Sequence, residues 1–145
     1  MIRQGLTLFV SLLLTVSLGL AQDYPIEWVE LTGATYDPIT KTFEKTAPDG
    51  WGNGGGAASL NVLPANTDGS ITYVKDAAEN TKALGLSYTN QDDVYLTIGY
   101  SFHFERTNVH ILEENRYVAY IGTWKIGDEY KIERADHEMR YYQNG

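Results

Sequence analysis

Residues 96–105 read Leu-Thr-Ile-Gly-Tyr-Ser-Phe-His-Phe-Glu, and this alternation constrains the chain more than any other feature. On an extended strand successive side chains point to opposite faces, whereas a helix needs apolar residues three or four apart. Ile98, Tyr100, Phe102 and Phe104 therefore share one face, and Thr97, Gly99, Ser101 and His103 share the other. An apolar face of that length needs a second layer to cover it.

The same period recurs at 26–31, 43–46, 57–63, 70–74, 82–88, 108–113, 117–123, 129–134 and 139–143. Turn-forming residues separate these runs. They include Asp37-Pro38, Pro48-Asp49-Gly50, Asp68-Gly69, Arg106-Thr107, Glu114-Asn115, Gly127-Asp128 and Asp136-His137. Only 76–83 has room for a helical turn. The expected fold is all-β, an antiparallel, jelly-roll-like β-sandwich of about ten strands.

A second domain boundary lies near the start. Met1-Ile2-Arg3 is followed by an uncharged, mostly apolar run to Leu20, and Gly19 and Ala21 supply the small residues of a cleavage site before Gln22. This predicts a secretory signal peptide over 1–21 and a β-sandwich module over 22–145. The run is short for a comfortable membrane span, so no membrane insertion is expected after cleavage. The expected location is secreted or cell surface.

The chain has no cysteine, so its stability rests on burial and hydrogen bonding rather than disulfides. A thiol nucleophile, an iron–sulfur cluster and a cysteine-ligated zinc are excluded with it. The net charge is −8, and loss of Arg3 makes the processed chain more acidic still. Such a surface repels phosphate backbones, so nucleic acid is not an expected partner. Eleven Tyr and three Trp suit both β-sheets and sugar-binding surfaces.

Two stretches stand apart. Trp51-Gly52-Asn53-Gly54-Gly55-Gly56-Ala57-Ala58-Ser59 lacks the Gly-Lys-Ser/Thr ending of a phosphate loop and reads as a tight entry into a core strand. Asn144-Gly145 is a strong hairpin signal, which predicts that a longer protein continues beyond it with a partner strand and further modules.

Trp28, Lys45-Thr46, Gly50-Trp51, Gly56-Ala57-Ala58-Ser59, Gly85-Leu86-Ser87, Tyr100, Glu113 and Gly122-Thr123-Trp124 occur in a suggestive order. Gly127-Asp128 and Tyr141-Tyr142-x-Asn144-Gly145 close it. The whole resembles a β-sandwich module of secreted and cell-surface proteins of Bacteroidota, of the concanavalin A-like lectin/glucanase kind, and its closing pattern is similar to that of SPRY domains. The resemblance implies a sandwich that recognises glycans or mediates adhesion. Residues 76–82 stand where the usual pattern has a shorter connection.

Glucan-cleaving enzymes of that fold carry Glu-x-Asp-x-x-Glu on one strand, which sets two carboxylates on one face. Here Glu27 and Glu30 lack the Asp, Glu113 and Glu114 are adjacent, and Asp128, Glu129 and Glu133 have the wrong spacing. No catalytic residue is assigned, and no enzyme activity is expected. His103 and His110 flank one hairpin and are expected to pack across it. Trp28 reads as core. Trp51 and Trp124, beside glycine-rich turns, are candidate faces for stacking on a sugar, with Asn53, Tyr117 and Tyr120 as candidate hydrogen-bond partners. No cofactor is required, although Asp92 and Asp93 are candidate Ca²⁺ ligands in a loop that also suits a solvated turn. The expected role is a non-catalytic extracellular module of a larger protein, binding a glycan or a cell-surface ligand. A spacer without ligand, and a polysaccharide hydrolase whose catalytic residues are not recognised, are the alternatives.

Overall fold

The computed structural model describes residues 23–48, 54–75, 81–89, 92 and 94–145. These residues are nearly all β, in antiparallel sheets. In chain order the strands are β1 Trp28–Thr32, β2 Ala34–Asp37, β3 Thr42–Lys45, β4 Gly56–Ser59, β5 Gly69–Val74 and β6 Thr81–Leu86. After them come β7 Tyr100–Glu105, β8 Asn108–Glu113, β9 Arg116–Thr123, β10 Glu129–Ala135 and β11 Glu138–Gln143. The signal-peptide expectation over 1–21 lies outside the described residues.

Strands β6-β7-β8-β9 form a four-stranded meander, and β11-β10-β5 form a three-stranded sheet. Two-residue turns of positive φ make the tight hairpins. Glu114 (φ 46°) and Asn115 (φ 64°) join β8 to β9, and Asp136 (φ 53°) and His137 (φ 66°) join β10 to β11. Mirror-image turns of this type follow the right-handed twist of the flanking strands. The β7–β8 hairpin turns through Arg106-Thr107, of which only Arg106 (φ 53°) has positive φ, and all three hairpin turns coincide with turn signals in the sequence.

The core lies between the two larger sheets. Phe102 and Phe104 of β7 and Val109 and Ile111 of β8 meet Tyr130 and Ile132 of β10. The Tyr130 ring stands edge-on to Phe104 at 4.9 Å and to Phe102 at 5.1 Å. Edge-to-face contact sets the positive rim of one ring against the negative face of another. Burying one such side chain contributes about 1.5–3 kcal/mol. Arg134 ties the 64–67 loop to β10 through Pro64 O and Thr67 O.

Three expectations need correction. Residues 95–97 form a 3₁₀ turn rather than the start of β7, because Thr97 N–H and Thr97 Oγ1 both bond back to Val94 O. Thr81–Ala83 belong to β6, paired with Glu105–His103, so the helical turn does not extend over them; 76–80 lie outside the described residues. Trp28 is not part of the central core. It packs on Phe43, 5.8 Å between ring centroids, where the β1–β4 and β2–β3 ribbons meet. Strand β2 was not expected, since Ala34–Asp37 is too short for its alternation to stand out.

Candidate functional site

An aromatic and imidazole cluster occupies the face of the four-stranded sheet that points away from the core. Alternation sends Phe102 and Phe104 inward, so Ser101 and His103 point outward. Register sets His103 directly opposite His110, and Ser101 opposite Leu112. The two imidazole centroids are 6.5 Å apart. The expected cross-strand pairing of the histidines is therefore present.

Strand β9 completes the cluster through two bulges. Leu112 pairs with Tyr117, yet Ile111 pairs with Ala119, leaving Val118 as an extra residue. A second shift makes His110 pair with Tyr120 and Val109 with Gly122. Tyr117 and Tyr120 are an odd number of positions apart, so an unbroken strand sends them to opposite faces. One inserted residue between them restores them to the same face. Both rings then lie 5.3 Å from His110. Gly122, at φ +119°, is the one sequence signal of this irregularity.

The cluster has a covered half and an open half. Tyr95, from the 3₁₀ turn, stacks flat on His103 at 4.9 Å with an interplanar angle of 8°. Beneath it Ser101, His103 and Leu112 are at most 1% exposed. Toward the sheet edge Tyr117, Val118 and Tyr120 are 54%, 53% and 58% exposed. Tyr117 bridges the halves, its hydroxyl 2.8 Å from His103 Nδ1. With the imidazole proton on Nε2, Nδ1 accepts from that hydroxyl.

Burial pushes the His103 pKa below the ordinary imidazole value of 6.5; nearby Glu105 pulls it up and His110 pushes it further down. Burial likewise raises the Tyr117 phenol. The unfolded chain then binds the His103 proton more readily than the folded chain. Stability from this group is complete above about pH 6.5 and falls as the pH drops toward the folded value, by at most about 1.4 kcal/mol per pH unit. Urea titrations at stepped pH should show this arm of acid destabilisation above the carboxylate range, and His103→Gln should remove it. An unchanged profile in that variant would show that His103 does not carry it.

The remaining candidates are scattered. Trp124 is not on this face. It packs against the core, with Lys75 Nζ 4.3 Å from its ring centroid and its Nε1 donating to Arg106 O at 2.6 Å. Trp51, Asn53 and Asp93 lie outside the described residues. Asp92 is exposed, and its Oδ1 accepts from Val94 N at 3.0 Å and Thr97 Oγ1 at 2.7 Å, as a turn cap does. Among the described residues no group of three or more His, Asp or Glu is placed to hold a metal ion. Glu113 accepts from Tyr141 OH at 3.0 Å, and Glu133 accepts from Tyr142 OH at 2.8 Å and Lys131 Nζ at 3.1 Å.

Comparison with family models, curated proteins and solved structures finds no match to this chain.

The closing Gly-Asp…Tyr-Tyr-x-Asn-Gly pattern has a structural account. Asp128 takes hydrogen bonds from Lys125 N at 2.8 Å, Asn144 Nδ2 at 3.0 Å and Gln143 Nε2 at 3.2 Å. These donors, the Asn144 amide foremost, hold its carboxyl below the usual carboxylate range. Glu129 N donates to Asn144 Oδ1, and Asn144 N donates to Glu129 O. The pattern fastens the end of β11 to the start of β10.

Proposed function

We propose that this chain is an exported, non-catalytic β-sandwich module of a larger surface or secreted protein, and that it binds a neutral glycan on the outer face of β8 and β9. The observation that carries this reading is the row of half-exposed Tyr117 and Tyr120 about His110, backed by the half-buried Tyr95 stacked on the buried His103. Rigid aromatic faces stack on the C–H side of a sugar ring, while phenol hydroxyls and an imidazole meet its hydroxyls. The acidic balance of the chain disfavours uronate or sulfated chains. The existing hydrogen-bond partners of Glu113 and Glu133 favour binding over hydrolysis. Kinship with concanavalin A-like modules, and secretion, belong to the same proposal.

A glycan array with Ca²⁺ present, followed by calorimetry on the best hit, tests it. Saturable binding is expected, weakened roughly tenfold by Tyr120→Ala, the range of one lost aromatic contact. A melting temperature unmoved by every sugar would favour a spacer. Turnover of a chromogenic polysaccharide would revive the hydrolase.

A further inference from the structure

We propose that Asn144 is a site of spontaneous amide modification, and that its conversion to aspartate or isoaspartate releases the end of β11. Gly145 follows it, and glycine offers the least steric hindrance to attack by its own backbone nitrogen. Asn144 is exposed and sits at φ 60°.

The side-chain amide is held at both in-plane atoms. Glu129 N–H donates to Oδ1 at 2.9 Å, and Nδ2 donates to Asp128 Oδ1 at 3.0 Å. The first contact stabilises negative charge developing on Oδ1 when a nucleophile adds to Cγ, as an oxyanion donor does. The second steadies the departing nitrogen, which gains positive character beside a carboxylate. In the reaction Gly145 N bonds to Asn144 Cγ, the Cγ–Nδ2 bond breaks, and the Gly145 amide proton leaves with nitrogen as ammonia. Solvent water then opens the cyclic imide at either carbonyl, giving aspartate or isoaspartate.

The product cannot keep the latch. A donor is replaced by an acceptor-only carboxylate facing Asp128. Two like charges at hydrogen-bond distance repel, and Asp128 loses the donor at its Oδ1. Isoaspartate also inserts a backbone methylene beside the Asn144 N to Glu129 O bond.

Incubation at mildly alkaline pH, followed by peptide mass mapping and melting curves, tests the proposal. Asn53-Gly54 is the other Asn-Gly in the chain and serves as an internal reference. Asn144 should convert at least as fast as Asn53, and converted protein should melt lower by roughly 4 °C or more. Asn144→Asp should reproduce that loss, and adding Asp128→Asn should restore most of it. If Asn144→Asp alone fails to fold, the double variant still decides. An intact Asn144 amide after Asn53 has converted would overturn the proposal, as would an Asn144→Asp protein that melts with the wild type or a double variant that restores nothing.

Discussion

Phe104→Ala is expected to lower stability by about 3–5 kcal/mol, the largest effect of any single truncation considered for this chain. Phe104 is 0% exposed and joins the two larger sheets. Its ring meets Tyr130 at 4.9 Å and Tyr73 at 5.8 Å, both edge-on, and Phe102 at 6.3 Å. Truncation removes the transfer free energy of the ring and leaves a hole that strands on either side are too constrained to fill. Urea titration should show a lower midpoint with an unchanged slope, since the same surface is exposed on unfolding. A loss below about 1 kcal/mol would mean that β7 and β10 do not form a shared core.

Gly85→Ala is expected to cost about 1–3 kcal/mol or more, although it adds one methyl group. The new Cβ would stand 2.0 Å from Tyr100 O, 2.8 Å from Ser101 Cα and 2.8 Å from Ile98 Cγ2. Two of those atoms are backbone of the paired strand and cannot swing away. Relief requires β6 to draw back from β7, or Ile98 to lift from the sheet. Ile98 directly follows the 3₁₀ turn that carries Tyr95. Lifting it moves Tyr95 off His103, so the variant should also lose near-ultraviolet circular dichroism from that stack and show a weaker pH dependence near neutrality. Wild-type melting and wild-type dichroism in Gly85→Ala would show that the 94–98 segment does not press on the sheet.

Much of the fold was legible along the chain. Residues 108–113 pair as expected, and the edges of β5, β10 and β11 differ from expectation by a residue, because alternation and turn residues are local signals. The 3₁₀ turn was not legible. Leu96, Thr97 and Ile98 fit strand alternation, but the Asp92 carboxylate and the Val94 carbonyl bend the backbone through contacts that no periodicity encodes. The site was half legible. Tyr117 and Tyr120 were singled out by type, yet Trp124, chosen on the same grounds, packs inward beneath Lys75. Composition marks an aromatic as suited to stacking; it does not say which side of a sheet receives it.

By itself the sequence determined the β class, the antiparallel hairpins and the face of β7 that seeks a core. These follow from the two-residue repeat of an extended backbone and from turn residues that tolerate positive φ. Only the tertiary structure decided that His103 is buried on the opposite face, and that Tyr117 and Tyr120 stand together beside His110. Bulges and strand register are set by partners distant in sequence, and one inserted residue reverses the facing of everything beyond it.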